Sequence, residues 1–398
     1  MAMDLMQTVP AQSAGAWNPA EAKGLYVHIP FCVRKCPYCD FNTFSLERTA
    51  VKRFLAALRN EIRYWHQQLG SVRFDTVFVG GGTPTVLSGS QLAEVMMYIR
   101  DSFDIAPNAE ITVEANPGSV TRRGLEAMVA SGVNRVSLGA QAFDDALLQH
   151  IGRNHSVKDV YDSYALICEA GLTNINMDLM FALPHQTMAQ WEATLDAVIA
   201  LNPAHISGYS LIIEEGTPFA ELERRGQLAL HGEALEAALY EIMLDKLSAA
   251  GYELYEISNF CRGQMRCRHN EIYWHNGQWL GIGPGAHSYW NGERFWNVRQ
   301  LETYSERTQA GRSPVEGSER CDRDMQMDET MMLGLRLTEG VSLAAFAERF
   351  QVSLLDVYGE QVEQLVQAGL LRLEQGRLQL TKRGRLLANR VFAAFLRD

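Results

Sequence analysis

Three cysteines lie in one short stretch, Cys32-Val-Arg-Lys-Cys36-Pro-Tyr-Cys39, with the spacing C-x3-C-x2-C. Thiolates so close together suit an iron–sulfur cluster better than zinc, because a structural zinc ion takes four ligands, usually from two separated pairs. A [4Fe–4S] cluster ordinarily uses four cysteines. Three leave one iron without a protein ligand, and an open iron can bind a small molecule, which turns an electron carrier into a catalyst. No fourth ligand stands nearby, since position 41 is Phe41. Cys168 falls in an apolar helical pattern and reads as core. Cys261 and Cys267 lie near His269 and could hold a metal, but read first as structural thiols; Cys321 carries no signal.

Other residues could do chemistry beside such a cluster. The run GGGTPT (80–85) can bring backbone close to a ligand, because glycine adopts positive φ without cost. Glu114, Gln141 and Asp178 end strand-like runs, and Arg153 follows the fourth of them. An aspartate inside the apolar run NINMDLMF (174–181) is expensive unless paired. Tyr26 could be core or could cover the cluster. Further on, His269-Asn270-Glu271-Ile272-Tyr273-Trp274 sets an imidazole, a good axial ligand for haem iron, beside rings that could face a porphyrin, with Trp279 close behind. His275 and His287 are alternative ligands among 10 histidines.

The elements that must position these residues alternate. Strand-like runs at 25–30, 76–82, 110–117, 135–141, 174–181 and 205–211 are spaced by helical stretches at 46–69, 88–100, 121–131, 157–170 and 188–201. Such a rhythm predicts βαβ units and a parallel sheet. Six units fit an open doubly wound sheet or a partial barrel, and either one puts a site at the carboxyl ends of the strands. Cys32, Gly80 to Thr83, Glu114, Gln141 and Asp178 all fall there. After about residue 212 the rhythm changes. Residues 261–300 show no clear period, and from about Asp322 helices and a small hairpin near Gln375-Gly376 read as a winged-helix-like unit. The expected division is a flexible tail at 1–21, a barrel core at 22–260, a connecting segment at 261–320 and the winged-helix-like domain at 321–398.

Composition bounds the partners. The 398 residues are 47% hydrophobic and 21% charged, which excludes a disordered or collagen-like chain. With 36 basic against 47 acidic residues the net charge is −11. That argues against nucleic acid as a partner, despite Lys382, Arg383, Arg385, Arg390 and Arg397 near the end. A lid or a docking role suits the last domain better. The N-terminus lacks the basic-then-apolar pattern of a signal peptide. The longest uncharged stretch, 76–93, is broken by Gly80, Gly81, Gly82 and Pro84 and cannot span a bilayer. A cytoplasmic protein that is not integral to a membrane is expected.

The cysteine motif after the first strand of a six-unit α/β chain resembles the radical SAM superfamily. That resemblance implies a partial (β/α)6 barrel and a [4Fe–4S] cluster on Cys32, Cys36 and Cys39. It also implies S-adenosylmethionine (SAM) chelated at the open iron and cleaved on reduction to methionine and a 5′-deoxyadenosyl radical. The protein's part is to orient these groups. YVHIPFC (26–32), CPYCDF (36–41), GGGTPT, VEANP (113–117), LGAQAF (138–143), IGRNH (151–155) and NMDLMFALP (176–184) are similar to the oxygen-independent coproporphyrinogen oxidase family, from about 24 to 260. By position, the resemblance implies that Tyr26, Gly81, Gly82, Thr83, Glu114, Gln141, Arg153 and Asp178 bind SAM. Two departures matter: Phe41 stands where the oxidases carry a further cysteine, and only about two dozen featureless residues precede Tyr26. Both point to a haem-chaperone branch, where the pattern HNxxYW is associated with haem and makes His269 the expected ligand. The implied function is to bind haem, the cluster and SAM and to deliver haem to apo-haemoproteins, with an acceptor that could lie at the membrane surface and a homodimer allowed. The alternative is the oxidase reaction itself, an oxidative decarboxylation of coproporphyrinogen III.

Overall fold

The computed structural model describes residues 17–397. Of the expected flexible tail, residues 1–16 lie outside the described residues. Residues 17–21 are not loose. The indole of Trp17 donates to Glu271 Oε2 at 3.0 Å, and the Arg268 guanidinium lies 3.9 Å over its ring.

Six parallel strands follow in sequence order: β1 Lys23–Ile29, β2 Arg73–Gly81, β3 Asp104–Ala115, β4 Arg135–Gln141, β5 Ile175–Phe181 and β6 His205–Ser210. Their order never reverses, so the doubly wound alternative is excluded. Alternation sorts the side chains. Leu25, Val27 and Ile29 of β1 are fully buried against the helix layer, while Tyr26 lines the interior. Five crossover helices cover the outside: α1 Arg48–Leu69, α2 Gly89–Ser102, α3 Arg122–Ala130, α4 Val157–Glu169 and α5 Met188–Leu201. Capping boxes at Ser88–Gln91, Ser156–Asp159 and Thr187–Gln190 start α2, α4 and α5 and fix where the strand-end loops stop. One interior cavity is lined by residues from all six strands, so the sheet is curled into a barrel. The barrel stays open, because β6 does not pair with β1.

Both edges are extended instead. A hairpin, β7 Glu253–Glu256 and β8 Asn259–Cys261, adds antiparallel to β6. On the far side β9 Gln278–Ile282 runs parallel to β1, followed by β10 His287–Trp290, β11 Glu293–Asn297 and β12 Val315–Arg320. The result is one sheet of 12 strands. Residues 261–320, expected as a connecting segment without period, therefore add four further strands to the barrel sheet and also carry two helices. The β10–β11 hairpin turns at Asn291-Gly292, both with positive φ (51° and 76°), as a two-residue hairpin turn requires. A short helix, α6 Arg268–Trp274, precedes β9.

The remaining chain has its own core, in which Phe346, Leu354, Tyr358 and Phe395 are fully or almost fully buried. Helices Arg323–Gly334, Leu343–Phe350 and Leu354–Gln367 pack against a three-stranded wing of Val341–Ser342, Leu371–Glu374 and Arg377–Leu380. The wing hairpin turns at Gln375 and Gly376. No described helix is long and apolar enough to cross a membrane.

Candidate cluster and cofactor site

The cysteine loop leaves the carboxyl end of β1 and is tied at both ends. Phe31 and Cys32 pair with Phe44 and Ser45 in a two-residue parallel ladder, and Phe31 packs edge-on against Phe54 of α1. Asn42 donates to the carbonyls of Pro284 and Arg299 at 2.9 and 3.0 Å, and its own carbonyl meets His28 Nε2 at 2.8 Å. Between these anchors the thiols of Cys32, Cys36 and Cys39 are free and partly exposed. A hydrogen-bonded chain links the loop to the neighbouring strand ends. Cys32 Sγ lies 3.6 Å from Thr83 Oγ1, Asn116 donates to Thr83 Oγ1 at 2.8 Å, and Arg153 donates to Asn116 Oδ1 at 2.6 Å and toward Cys36 Sγ at 3.8 Å. Among the described residues no three His, Cys, Asp or Glu side chains converge as one ion would need. A [4Fe–4S] cube spreads its thiolates over different irons, so a tethered three-thiol loop suits it better than zinc.

The glycine run has a definite mechanical reason. A Cβ at Gly82 would stand 2.5 Å from the Phe31 carbonyl oxygen, and one at Gly81 (φ +110°) would stand 2.6 Å from the His28 ring. Only glycine lets the end of β2 lie against the cysteine strand. The amides there are spent inside the protein: Gly81 N–H goes to Glu114 Oε2, Gly82 N–H to the Ile29 carbonyl and Thr83 N–H to the Phe31 carbonyl.

Glu114 and Asp178 face the barrel interior with Tyr26. Burial pushes the Glu114 carboxyl up to about 8, and the Asp178 carboxylate adds to the push. Asp178 is also raised by burial, opposed by hydrogen bonds from Ser137 at 2.9 Å and Asn176 at 2.7 Å. Tyr26 sets its hydroxyl 2.9 Å from His28 Nδ1. Gln141 ends β4 at φ +67°, and Ala182 and His185 after β5 also have positive φ. Strained non-glycine backbone of this kind collects at functional loops.

Beside these loops opens a cavity of about 780 Å³. Tyr26, Gly81 and Glu114 line it from the barrel strands, and Tyr273, Trp279, His287 and Trp296 add aromatic rings to its lining. Phe41 lines it as well and is 56% exposed. A larger groove, about 1140 Å³, runs outside the barrel along α1 to α3 and reaches the cysteine loop only at Val33. Sequence reasoning missed Asn116, although it lies inside VEANP, and missed Trp296 and Arg299, because their strand pairing was not recognised.

His269, the expected haem ligand, sits on α6. Helix α6 closes the amino end of the barrel, opposite the cysteine loop. Glu110 accepts its first amides, from Arg268 at 3.2 Å and His269 at 3.1 Å. His269 is 1% exposed; its Nδ1 meets Thr76 Oγ1 and its Nε2 meets Tyr273 OH, both at 2.7 Å. Burial, helped by the Arg135 charge, lowers this imidazole to about 3, so it is neutral. With both nitrogens engaged it offers haem iron no lone pair in this arrangement. Tyr273 and Trp274, from the same helix, do line the cavity.

Fold and site together define a radical SAM protein: the radical SAM superfamily model matches residues 26–198, and the HemN C-terminal domain model matches 321–387. The solved structure of coproporphyrinogen III oxidase (HemN) from Escherichia coli, a radical SAM enzyme, superposes with a TM-score of 0.82 over 96% of this chain and 91% of that one, at 23% identity. The chain is 40% identical to the heme chaperone HemW of Bacillus subtilis, over 94% of this chain and 99% of the relative. It is 39% identical to the heme chaperone HemW of Mycobacterium tuberculosis, over 95% and 96%. The chain belongs to the heme chaperone HemW family. Membership of the radical SAM class implies a [4Fe–4S] cluster and SAM.

Proposed function

We propose that the chain is a haem carrier that holds haem beside a [4Fe–4S] cluster and SAM and passes it to an apo-haemoprotein. The observation that carries this reading is the cavity of about 780 Å³ lined by both the carboxyl-end loops and aromatic rings. Its size lies within the range of roughly 300–1,000 Å³ that encloses compact ligands, and flat aromatic faces suit a porphyrin plane. The names of the full-length relatives point the same way.

In this reading Cys32, Cys36 and Cys39 hold the cluster, and Tyr26, Gly81, Gly82, Thr83, Glu114, Gln141, Arg153 and Asp178 surround SAM. Cluster and SAM, when bound, supply the one-electron chemistry. The chain's own residues do the positioning. Thr83 and Arg153 hold the cysteine loop from two sides, and the glycines let β2 abut it. Glu114, with its carboxyl raised to about 8, keeps a proton near neutral pH and can donate a hydrogen bond to a ligand. Phe41 offers the cavity an apolar face and no thiol. His269 serves in the same proposal as the anchor of Tyr273. The reading extends to a cytoplasmic carrier that meets its acceptor at a membrane surface as a homodimer, which vesicle flotation and sedimentation test.

The deciding experiment is anaerobic. The cluster-reconstituted protein is given SAM, reductant and coproporphyrinogen III, and the same preparation is titrated with haemin. The expected result is no protoporphyrinogen above trace and a saturable Soret change. Sustained turnover would overturn the carrier reading and identify the oxidase.

A further inference from the structure

Four imidazoles stand in or near the cavity, and their surroundings separate them. His28 is 6% exposed, with Nδ1 on Tyr26 OH and Nε2 on the Asn42 carbonyl. His269 is saturated by Thr76 and Tyr273. His275 does not line the cavity and points its Nε2 toward Glu339, 3.8 Å away. His287 differs from all three. It lines the cavity and is exposed, and among the described residues neither ring nitrogen has a hydrogen-bond or ion-pair partner. Its position is nevertheless fixed, because it sits on β10 opposite Trp296 of β11 and the two rings stack at 5.9 Å and 26°. Partial desolvation inside the cavity and the Arg294 and Arg299 charges lower its pKa, which favours the neutral, ligating form.

Just beyond β11, Arg299 is an exposed cation that lines the same cavity, and its guanidinium has no partner among the described residues. Asp40 and Glu316 are also on the lining, so Arg299 marks the part of the rim where a carboxylate is favoured. We infer that His287 is the axial ligand to haem iron in this cavity, that Arg299 pairs with a haem propionate, and that His269 is a positioning residue which holds Tyr273. This rests on the haem-carrier reading. It moves the iron ligand from the buried HNxxYW histidine to an accessible one about one hairpin further along the chain.

The test uses the full-length protein, haemin as probe, and electron paramagnetic resonance of the ferric haem beside the Soret titration. Wild type is expected to bind saturably with a histidine-ligated signature. Removing a group that merely hydrogen-bonds a metal ligand costs about 10–100-fold in metal affinity, so His287→Ala is expected to lose at least about tenfold. It should also lose the signature, and added imidazole should restore it. His269→Ala is expected to keep the signature. Arg299→Glu should weaken haemin binding but leave haem dimethyl ester unaffected, since the ester has no charge to pair. An unchanged signature in His287→Ala, or its loss in His269→Ala alone, would overturn the assignment. Failure of wild type to bind haemin saturably would overturn the haem-carrier reading itself, before any variant is compared.

Discussion

Glu114 carries an electrostatic conflict that can be measured directly. Its carboxyl faces Asp178, Arg135, Tyr26 and Tyr273 in the barrel interior. Burial, then the Asp178 charge, raise it from 4.5 to about 8, against the pull of Gly81 N–H and Arg135. Between those two values the folded chain holds a proton that the unfolded chain has released. Stability linked to this group is therefore full below the unfolded value and is lost as pH rises through the folded one. Glu114→Gln removes the titration. Because the cavity is open to solvent and screens the charge, the expected gain is modest, about 1 kcal/mol at about pH 9, with no gain at about pH 4. Urea midpoints of the cluster-free protein across that range provide the check. A wild-type profile as flat as the variant's would mean that Glu114 ionises at its ordinary value. Arg153 shows the complementary case, a cation whose hydrogen bonds to Asn116 and the Gly139 carbonyl hold it beside the cysteine loop.

At the scale of elements, α6 is a plug, and its fit depends on a residue far away in sequence. A Cβ at Gly24 would stand 2.9 Å from His269 Cε1 and 3.2 Å from its Nδ1. Gly24→Ala therefore has to push a ring that is held on both sides. Overpacking of this kind costs about 1–3 kcal/mol. The variant is expected to unfold at lower urea while reconstituting its cluster normally, because the cysteine loop sits at the opposite end; loss of cluster loading would show that the two ends are coupled. The plug also explains what was legible. Cys32 could be read from the cysteine spacing, and Glu114, Gln141 and Asp178 because each is a polar residue within or ending an apolar strand run, and both signals are local properties of the sequence. That α6 closes the other end follows from β9 pairing with β1, a contact across some 250 residues that no local pattern encodes. The β10–β11 hairpin was legible in principle. Tyr289-Trp290 and Phe295-Trp296 flank Asn291-Gly292, the strongest short-range hairpin signal, but the surrounding Trp, His and Asn masked the alternation.

At the scale of the molecule, the same helix joins the barrel to the wing domain. Its inner face carries His269 and Tyr273; its end carries Trp274 and the residues that the last domain grips. Arg336 donates to Glu256 Oε2 from two nitrogens, at 3.0 and 3.2 Å, and stacks 4.4 Å over Trp274. Arg349 donates to the carbonyls of His275 and Asn276. Thr338 N–H reaches the Tyr255 carbonyl, and a β-bridge joins Glu256 to Leu337. Glu256 is fully buried, so its charge depends on Arg336, with Ser258 and Asn259 as further donors. Removing one partner of a buried pair costs about 3–5 kcal/mol; the remaining donors and the partial exposure of Arg336 reduce that here to about 2 kcal/mol. The wing domain has a core of its own, so this loss should fall on the junction rather than on either core. Arg336→Ala is accordingly expected to split one thermal transition into two in calorimetry. It should also weaken haemin binding, since Trp274 lines the cavity proposed for haem and would lose its stacked cation. A single transition lowered as a whole would mean that barrel and wing melt as one unit and that the junction is part of the core.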